Sequence, residues 1–170
     1  MNKMKEIRIE KVTINIGAGK DPNVLEKGTA LIKNLTGIDP VKTYTNKRIP
    51  TWGLRPGLPI GCKLTLRGQK AIEILKRVLE ANGRKLTEDN FDDQGNIAFG
   101  IKEYIDIPEI KYDPKIGIMG LQVCVTLSRP GFRIKRRSYM KRKIPKNHRI
   151  SREDSIEHMK KNYAVTLGEE

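Results

Sequence analysis

The chain has 170 residues, with 34 Lys or Arg against 20 Asp or Glu and a formal net charge of +14. Its length fits one domain with an appended arm, and its 37% of hydrophobic residues allow one modest core. Residues 1–11 lack the apolar segment of a signal peptide, and no apolar run is long enough to span a membrane. We therefore expect a cytosolic protein without a membrane partner.

The N-terminal third predicts a strand, a helix and a second strand. Alternating apolar residues over 7–16 are typical of a half-buried strand, and a change of phase near Lys11 predicts a β-bulge. Asp21 and Pro22 are typical of a helix start and Gly37 of a helix end, so a helix is predicted from about Pro22 to Thr36. A short strand at 41–45 precedes a long basic loop, residues 46–60, which is rich in proline and glycine.

The rest of the chain predicts two more strands and two more helices. A strand with one polar face is expected around 63–67, an amphipathic helix at 71–83, and a strand with antiparallel partners at 121–127. Residues 84–100 are rich in Asp and Asn and predict a solvated turn, because their spacing does not fit an EF-hand. Irregular extended structure is expected at 101–107, and a capping box starting at Ser151 predicts a short terminal helix.

These elements predict an α+β fold in which an antiparallel sheet has helices packed on one face. We divide the chain into a core, residues 1–128, that includes the loop at 46–60, and a second part, residues 129–170. The second part consists of a basic arm with little periodicity and the short C-terminal helix.

The positive charge is concentrated in two segments. Residues 40–72 and 114–152 contain no acidic residue and hold 19 of the 34 basic ones. The remaining residues have 15 basic and 20 acidic side chains, a net charge of −5. Segregation on this scale makes a surface of one sign that attracts a polyanion, and nucleic acid is the polyanion that fits. With three Phe and one Trp, we expect recognition of backbone and shape more than stacking.

Three groups of residues are candidate RNA contacts. On the strand, Lys63, Thr65 and Arg67 point to one face because side chains alternate. On the proline-stiffened loop the candidates are Lys47, Arg48, Trp52 and Arg55, although Trp52 packed into the core is an alternative. In the arm the candidates are Arg129, Arg133, Lys135, Arg136, Arg137, Lys141, Arg142 and Lys143. The alternative for the arm is a solvated tail, but the aromatic and proline residues among its charges favour an ordered path.

No motif predicts catalysis, a cofactor or a metal. The glycines of residues 16–20 resemble a phosphate-binding loop, but the Gly-Lys-Ser/Thr and the third glycine of the nucleotide motifs are missing. His148 and His158 lack a nucleophile or carboxylate set and are expected at the surface. Cys62 and Cys124, the only cysteines, predict buried thiols and no zinc site.

Four segments, KVTINIG at 11–17, GLRPGLPIGCKLTLRG at 53–68, FGI at 99–101 and PEIKYD at 108–113, occur in this order. Together they resemble the universal large-subunit ribosomal protein L5 family, and the resemblance runs nearly end to end. RPGFRIKRR at 129–137 and HRIS at 148–151 are similar to the archaeal and eukaryotic branch. The short N-terminus and TWG at 51–53 favour an archaeal source.

The resemblance implies a structural protein that assembles with 5S rRNA and adjacent large-subunit rRNA in the central protuberance, beside other 5S rRNA-binding ribosomal proteins. The positions that match the family's sheet contact with 5S rRNA are Asn15, Lys63, Thr65 and Arg67. The loop from Asn46 to Pro59 matches one that reaches the peptidyl-site tRNA. Residues 113–120 match a region near a contact with a protein of the small-subunit head.

Two other classes of function remain open from the sequence. A free-standing RNA chaperone or regulatory RNA-binding module would have the same charge and fold. A nucleotide-dependent RNA-modifying enzyme would need a cofactor pocket, for which the sequence has no motif.

Overall fold

The computed structural model describes residues 2–168 and contains seven strands. They are β1 (Arg8–Gly17), β2 (Val41–Tyr44), β3 (Pro59–Leu66), β4 (Lys85–Leu86), β5 (Ile97–Ile101), β6 (Leu121–Ser128) and β7 (Thr166–Leu167). Five of them form an antiparallel sheet with the strand order β2-β3-β1-β6-β5, and a separate pair, β4 and β7, is parallel. The α-helices are α1 (Pro22–Thr36), α2 (Gln69–Ala81) and α3 (Arg152–Tyr163). The predicted α+β fold is confirmed.

The central strand β1 contains the predicted bulge. Its pairing with β6 shifts register between Ile9 and Lys11, so Glu10 is an extra residue in that ladder. Beyond the bulge, Val12, Ile14 and Ile16 are buried on the helix side.

Helices α1 and α2 pack on the same face of the sheet, as predicted. Asp21 accepts a hydrogen bond from the Asn23 amide at 3.1 Å, and Gly37 ends α1 in the left-handed conformation, which glycine adopts without strain. Helix α1 lies close to the sheet at Gly28, where a Cβ would lie 3.1 Å from Ile16 and 3.3 Å from Cys62. Burial raises the pKa of the Cys62 thiol, in keeping with the prediction for this cysteine.

The C-terminal part of the chain contributes to the same core. Ile150, Met159 and Val165 belong to the buried cluster that the sheet and helices form. Ser151 accepts from the Asp154 amide while Asp154 accepts from the Ser151 amide, so the predicted capping box is present. The predicted boundary after residue 128 coincides with the end of β6.

The structure corrects several details. Strand β3 begins at Pro59, inside the predicted loop, because Pro59 already pairs with Tyr44 of β2; proline is tolerated at the first residue of a strand. Cys124 is only half-buried, since it alternates with Val123 and Val125 and therefore faces away from the helices.

Other differences concern short elements. Residues 104–106 form a 3₁₀ turn within the segment expected to be extended, and Tyr104 is buried there. His158 is half-buried rather than exposed, and burial lowers the pKa of its imidazole. Within residues 2–168, no helix combines the length and apolar character needed to cross a membrane.

Candidate nucleic-acid interface

The sheet face opposite the helices carries a stripe of polar side chains across three central strands. Lys63 and Thr65 of β3 lie beside Asn15 and Thr13 of β1, and Asn15 lies beside Gln122 of β6. The two threonine hydroxyl oxygens are 3.5 Å apart. Lys63 and Thr65 are exposed, whereas the β3 residues on either side of them are buried. The structure thus places three predicted contacts, Asn15, Lys63 and Thr65, together on one uncovered face.

Arg67, the fourth predicted residue of this group, contacts an acid. Glu10, the bulge residue, has a side chain that is only 13% exposed and lies 3.8 Å from the Arg67 guanidinium. The same carboxylate accepts a hydrogen bond from Arg136 of the arm. Because β3 ends at Leu66, Arg67 lies just beyond the sheet, and one carboxylate joins this cation to a cation of the arm. Sequence reasoning missed Glu10, although the phase change at the bulge marked its position.

The predicted tRNA-proximal loop is ordered by its own hydrogen bonds. The buried Thr45 hydroxyl donates to the Arg55 carbonyl at 2.6 Å and the Thr45 amide donates to the Leu58 carbonyl at 2.9 Å. Near the tip, the amides of Ile49 and Leu54 each donate to the other's carbonyl, at 3.1 and 3.0 Å. These bonds fold the loop back on itself, so its side chains project from a defined backbone.

The loop presents its cations and its tryptophan to solvent. Lys47, Arg48 and Arg55 are exposed, and Trp52 in the 3₁₀ turn at the tip is 67% exposed. The alternative of a core-packed Trp52 is therefore wrong. An exposed ring among three cations offers a stacking surface next to phosphate-binding groups.

The Arg129 side chain anchors the start of the arm to neighbouring residues and does not project into solvent. Its side chain is 8% exposed and donates to the Arg149 carbonyl at 2.8 Å and to the Asp154 carboxylate at 2.9 Å. Burial raises the pKa of Asp154, but hydrogen bonds from Ser151 and the Arg129 charge outweigh it, so the pKa is lowered. Because its guanidinium is buried and both terminal nitrogens donate hydrogen bonds within the protein, Arg129 is a structural residue here, unlike the other predicted arm contacts.

Two further contacts fix the arm. A ring nitrogen of His148 lies 2.9 Å from the Pro130 carbonyl oxygen, and the ring packs edge-on against Phe132 at 5.8 Å between centroids. At the other end, Gly95 of the acidic turn packs so tightly on Ile150 that a Cβ would lie 2.5 Å from its Cγ2 atom. The arm is therefore packed against the rest of the protein, and the alternative of a solvated tail is wrong.

The remaining arm cations are exposed. They are Arg133, Lys135, Arg136, Arg137, Lys141, Arg142 and Lys143. Of these, Arg136 alone forms an ion pair among the contacts of residues 2–168. Tyr139, at 80% exposure, lies in the middle of the run. Exposed cations with one exposed ring are suited to phosphate and base contacts rather than to catalysis.

Across residues 2–168, no group of three or more His, Cys, Asp or Glu side chains is arranged to hold a metal ion. Gly17 is the last residue of β1 and Gly19 lies in the turn that leads to α1; between them the Ala18 amide donates to the Ile60 carbonyl at 2.9 Å.

Comparisons with known proteins agree with the motif resemblance. Residues 2–55 match the family model described as Ribosomal protein L5, and residues 59–157 match the model for the C-terminus of the same ribosomal family. The protein named "Large ribosomal subunit protein uL5" of Sulfurisphaera tokodaii is 48% identical over 170 residues, covering 99% of this chain and 96% of its own.

Proteins of the same name from other archaea are similarly related. The protein of Nanoarchaeum equitans is 47% identical, and the match covers 96% of this chain and 97% of the relative. The protein of Methanosphaera stadtmanae is 45% identical, and the match covers 98% of this chain and 99% of the relative. Because the two family models together span nearly the whole chain and these relatives are at least 45% identical over nearly their full length, the chain belongs to the ribosomal protein L5 family.

Proposed function

We propose that this protein is a structural constituent of the large ribosomal subunit and that it binds 5S rRNA through the open face of its sheet. Membership of the family makes the chain a ribosomal protein and not an enzyme. The observation that carries the finer proposal is the strand register, which aligns Asn15, Lys63 and Thr65 on the sheet face opposite helices α1 and α2.

The chemistry of this face suits an A-form RNA backbone. Asn15 and Thr65 offer hydrogen bonds to phosphate, ribose and 2′-hydroxyl oxygens, and Lys63 supplies a charge for a phosphate. An antiparallel sheet that buries one face and leaves the other wet holds these groups at fixed spacing. The Glu10 contact brings Arg136 of the arm close to Arg67, and the exposed arm cations would bind adjacent large-subunit rRNA.

The loop around Trp52 forms a second proposed interface, with the peptidyl-site tRNA. Its ordered backbone limits the conformational entropy lost on binding, and its exposed ring is available for stacking. The proposed third contact, with a small-subunit head protein, involves residues 113–120, where Ile118 is exposed. Other 5S rRNA-binding proteins would be neighbours in the assembled particle, which is located in the cytoplasm.

A free-standing RNA chaperone is the competing function, because the same cations would serve it. The test is a titration of the full chain with labelled 5S rRNA and with an unrelated folded RNA of equal length, between about 50 and 200 mM salt. Both affinities should fall steeply with salt, by roughly 10³- to 10⁵-fold if six to ten phosphates are contacted. The proposal requires that 5S rRNA stays strongly preferred at physiological salt, and equal affinities would favour the chaperone.

A matched pair of double variants tests whether the sheet face or the loop carries the preference for 5S rRNA. Lys63→Gln with Thr65→Val should weaken 5S rRNA binding by about tenfold or more, through one lost phosphate contact and one lost hydrogen bond. Arg55→Gln with Thr51→Val removes the same kinds of group from the loop and should change 5S rRNA affinity far less. Equal losses in the two double variants would contradict a 5S rRNA site on the sheet.

A further inference from the structure

A cleft of about 1170 Å³ lies between the basic arm and the acidic turn at residues 92–96. Six Lys or Arg side chains line it, together with the apolar side chains of Phe132, Ile144 and Ile150. Its volume exceeds the roughly 300 Å³ of the smallest ligand pockets, so it has room for a base with its ribose and phosphate.

The cleft is built from packed and hydrogen-bonded segments. The Arg142 amide donates to the Ile134 carbonyl at 3.2 Å, which folds the arm into a closed loop around one side. On the other side, the turn is closed by the Gly95 amide, which donates to the Asp92 carbonyl at 2.8 Å, and Gly95 packs directly on Ile150. The two walls therefore have a fixed relation before any ligand binds.

The lining of the cleft includes an acid that a pure phosphate site would not contain. Asp93, on the acidic turn, lines the cleft together with Gln94 and the six cations. Within residues 2–168 no Lys or Arg nitrogen lies within ion-pair distance of the Asp93 carboxylate. A free carboxylate repels phosphate but accepts hydrogen bonds from N–H groups, which are found on the edges of nucleobases.

We propose that this cleft binds one unpaired guanine nucleotide of the RNA. This inference rests on the proposed function, since it takes RNA as the ligand. Guanine is the base that places two N–H donors, at N1 and N2, side by side, and both can reach one carboxylate. Asp93 would accept these two hydrogen bonds, Phe132 and Ile144 would contact the base plane, and Lys141 and Lys143 would bind the flanking phosphates.

The test uses single-stranded hexanucleotides with the full chain. We expect UUUGUU to bind about tenfold or more tightly than UUUAUU, UUUCUU or UUUUUU at physiological salt, because one bidentate base contact is worth about this factor. Asp93→Asn should abolish the guanine preference without weakening UUUUUU binding. Asp89→Asn, which removes the same charge from an exposed position of the same acidic region outside the cleft, should retain the preference.

The phosphate part of the site can be separated from the base part. The double variant Lys141→Gln with Lys143→Gln should weaken the binding of all four oligonucleotides by a similar factor. The ratio of the affinity for UUUGUU to the other affinities should stay unchanged. The proposal is overturned if the unaltered protein binds all four alike, or if the preference for guanine survives in Asp93→Asn.

The same preparations distinguish this inference from the proposed function. If 5S rRNA stays preferred over unrelated folded RNA but the oligonucleotides bind alike, the guanine site is refuted and the ribosomal proposal stands. If guanine is preferred but 5S rRNA is not, the cleft is supported and the 5S rRNA proposal fails.

Discussion

The open sheet face and the basic arm present cations in different ways. On the sheet, Lys63 and Thr65 alternate with buried residues, and the strand geometry alone determines where they point. The arm has only short 3₁₀ turns between β6 and α3, so no repeating geometry directs its side chains. Its path depends instead on a few specific contacts, namely those of Arg129, His148, Gly95 and Arg136.

The difference shows how a highly basic segment can be ordered without its ligand. Like charges along an irregular chain repel and favour an extended tail. Here one buried cation, one packed glycine and one shared carboxylate tie the segment to the core at separate points. It follows that single substitutions at these points should loosen the arm, and four predictions test this contrast.

The largest effect is expected from Arg129→Met. The substitution removes a guanidinium that is only 8% exposed, together with its hydrogen bonds to the Asp154 carboxylate and the Arg149 carbonyl, which should cost about 2–3 kcal/mol of unfolding free energy. Urea unfolding measures this loss. Arg133→Met removes the same charge from an exposed arm position and should change stability by less than about 0.5 kcal/mol. Similar losses in both variants would refute the anchoring role.

The Gly95→Ala substitution comes next. Gly95 has φ of +75°, and the new methyl group would overlap Ile150, so about 1–2 kcal/mol should be lost. Because the strain falls where the arm docks, trypsin should cut the arm faster in this variant. The control is Gly100→Ala, where no atom lies within 4 Å of the added carbon. Unchanged trypsin sensitivity in Gly95→Ala would show that this contact does not hold the arm.

A smaller effect is expected from Glu10→Gln, which weakens the link between sheet and arm. Loss of a negative charge should raise affinity for any RNA, but looser placement of Arg67 and Arg136 should reduce the 5S rRNA preference. We expect the affinity ratio between 5S rRNA and unrelated RNA to fall about two- to fivefold, because this factor corresponds to the free energy that one half-exposed ion pair contributes.

The control for this prediction is Glu6→Gln, which removes an equal charge from the exposed pair with Arg8. It should raise both RNA affinities equally and leave their ratio unchanged. If Glu10→Gln behaves in the same way, Glu10 does not position the two arginines.

The smallest effect concerns pH. The folded-state pKa of Asp154 is lowered, so its carboxylate contributes stability above its ordinary pKa, and that contribution is lost as pH falls through the lowered value. Asp154→Asn should therefore be less stable than the unaltered protein near neutral pH, with the gap narrowing as the pH falls below the ordinary pKa of an aspartate. Since the side chain is 38% exposed, the gap should be below about 1 kcal/mol. A gap that does not depend on pH would refute this assignment.

Local sequence signals predicted most of the fold. The bounds of α1 follow from Asp21, Pro22 and Gly37, and the bulge in β1 follows from one change of phase, because caps and alternation act over a few neighbouring residues. The pair β4 and β7 was missed, since each strand has two residues and they pair across about 80 positions of the chain. Such short strands have no periodicity of their own.

For the candidate site, the amino-acid sequence already identifies which residues carry charge and which strand positions share a face. Asn15, Lys63 and Thr65 come together because the period of a strand is fixed by its covalent geometry. The exposure of Trp52, the burial of Arg129 and the link that Glu10 makes between Arg67 and Arg136 follow from the packing of the folded chain and have no local signal. Whether a long cation is free or paired depends on residues distant in the chain, whose approach is set by packing of the whole core.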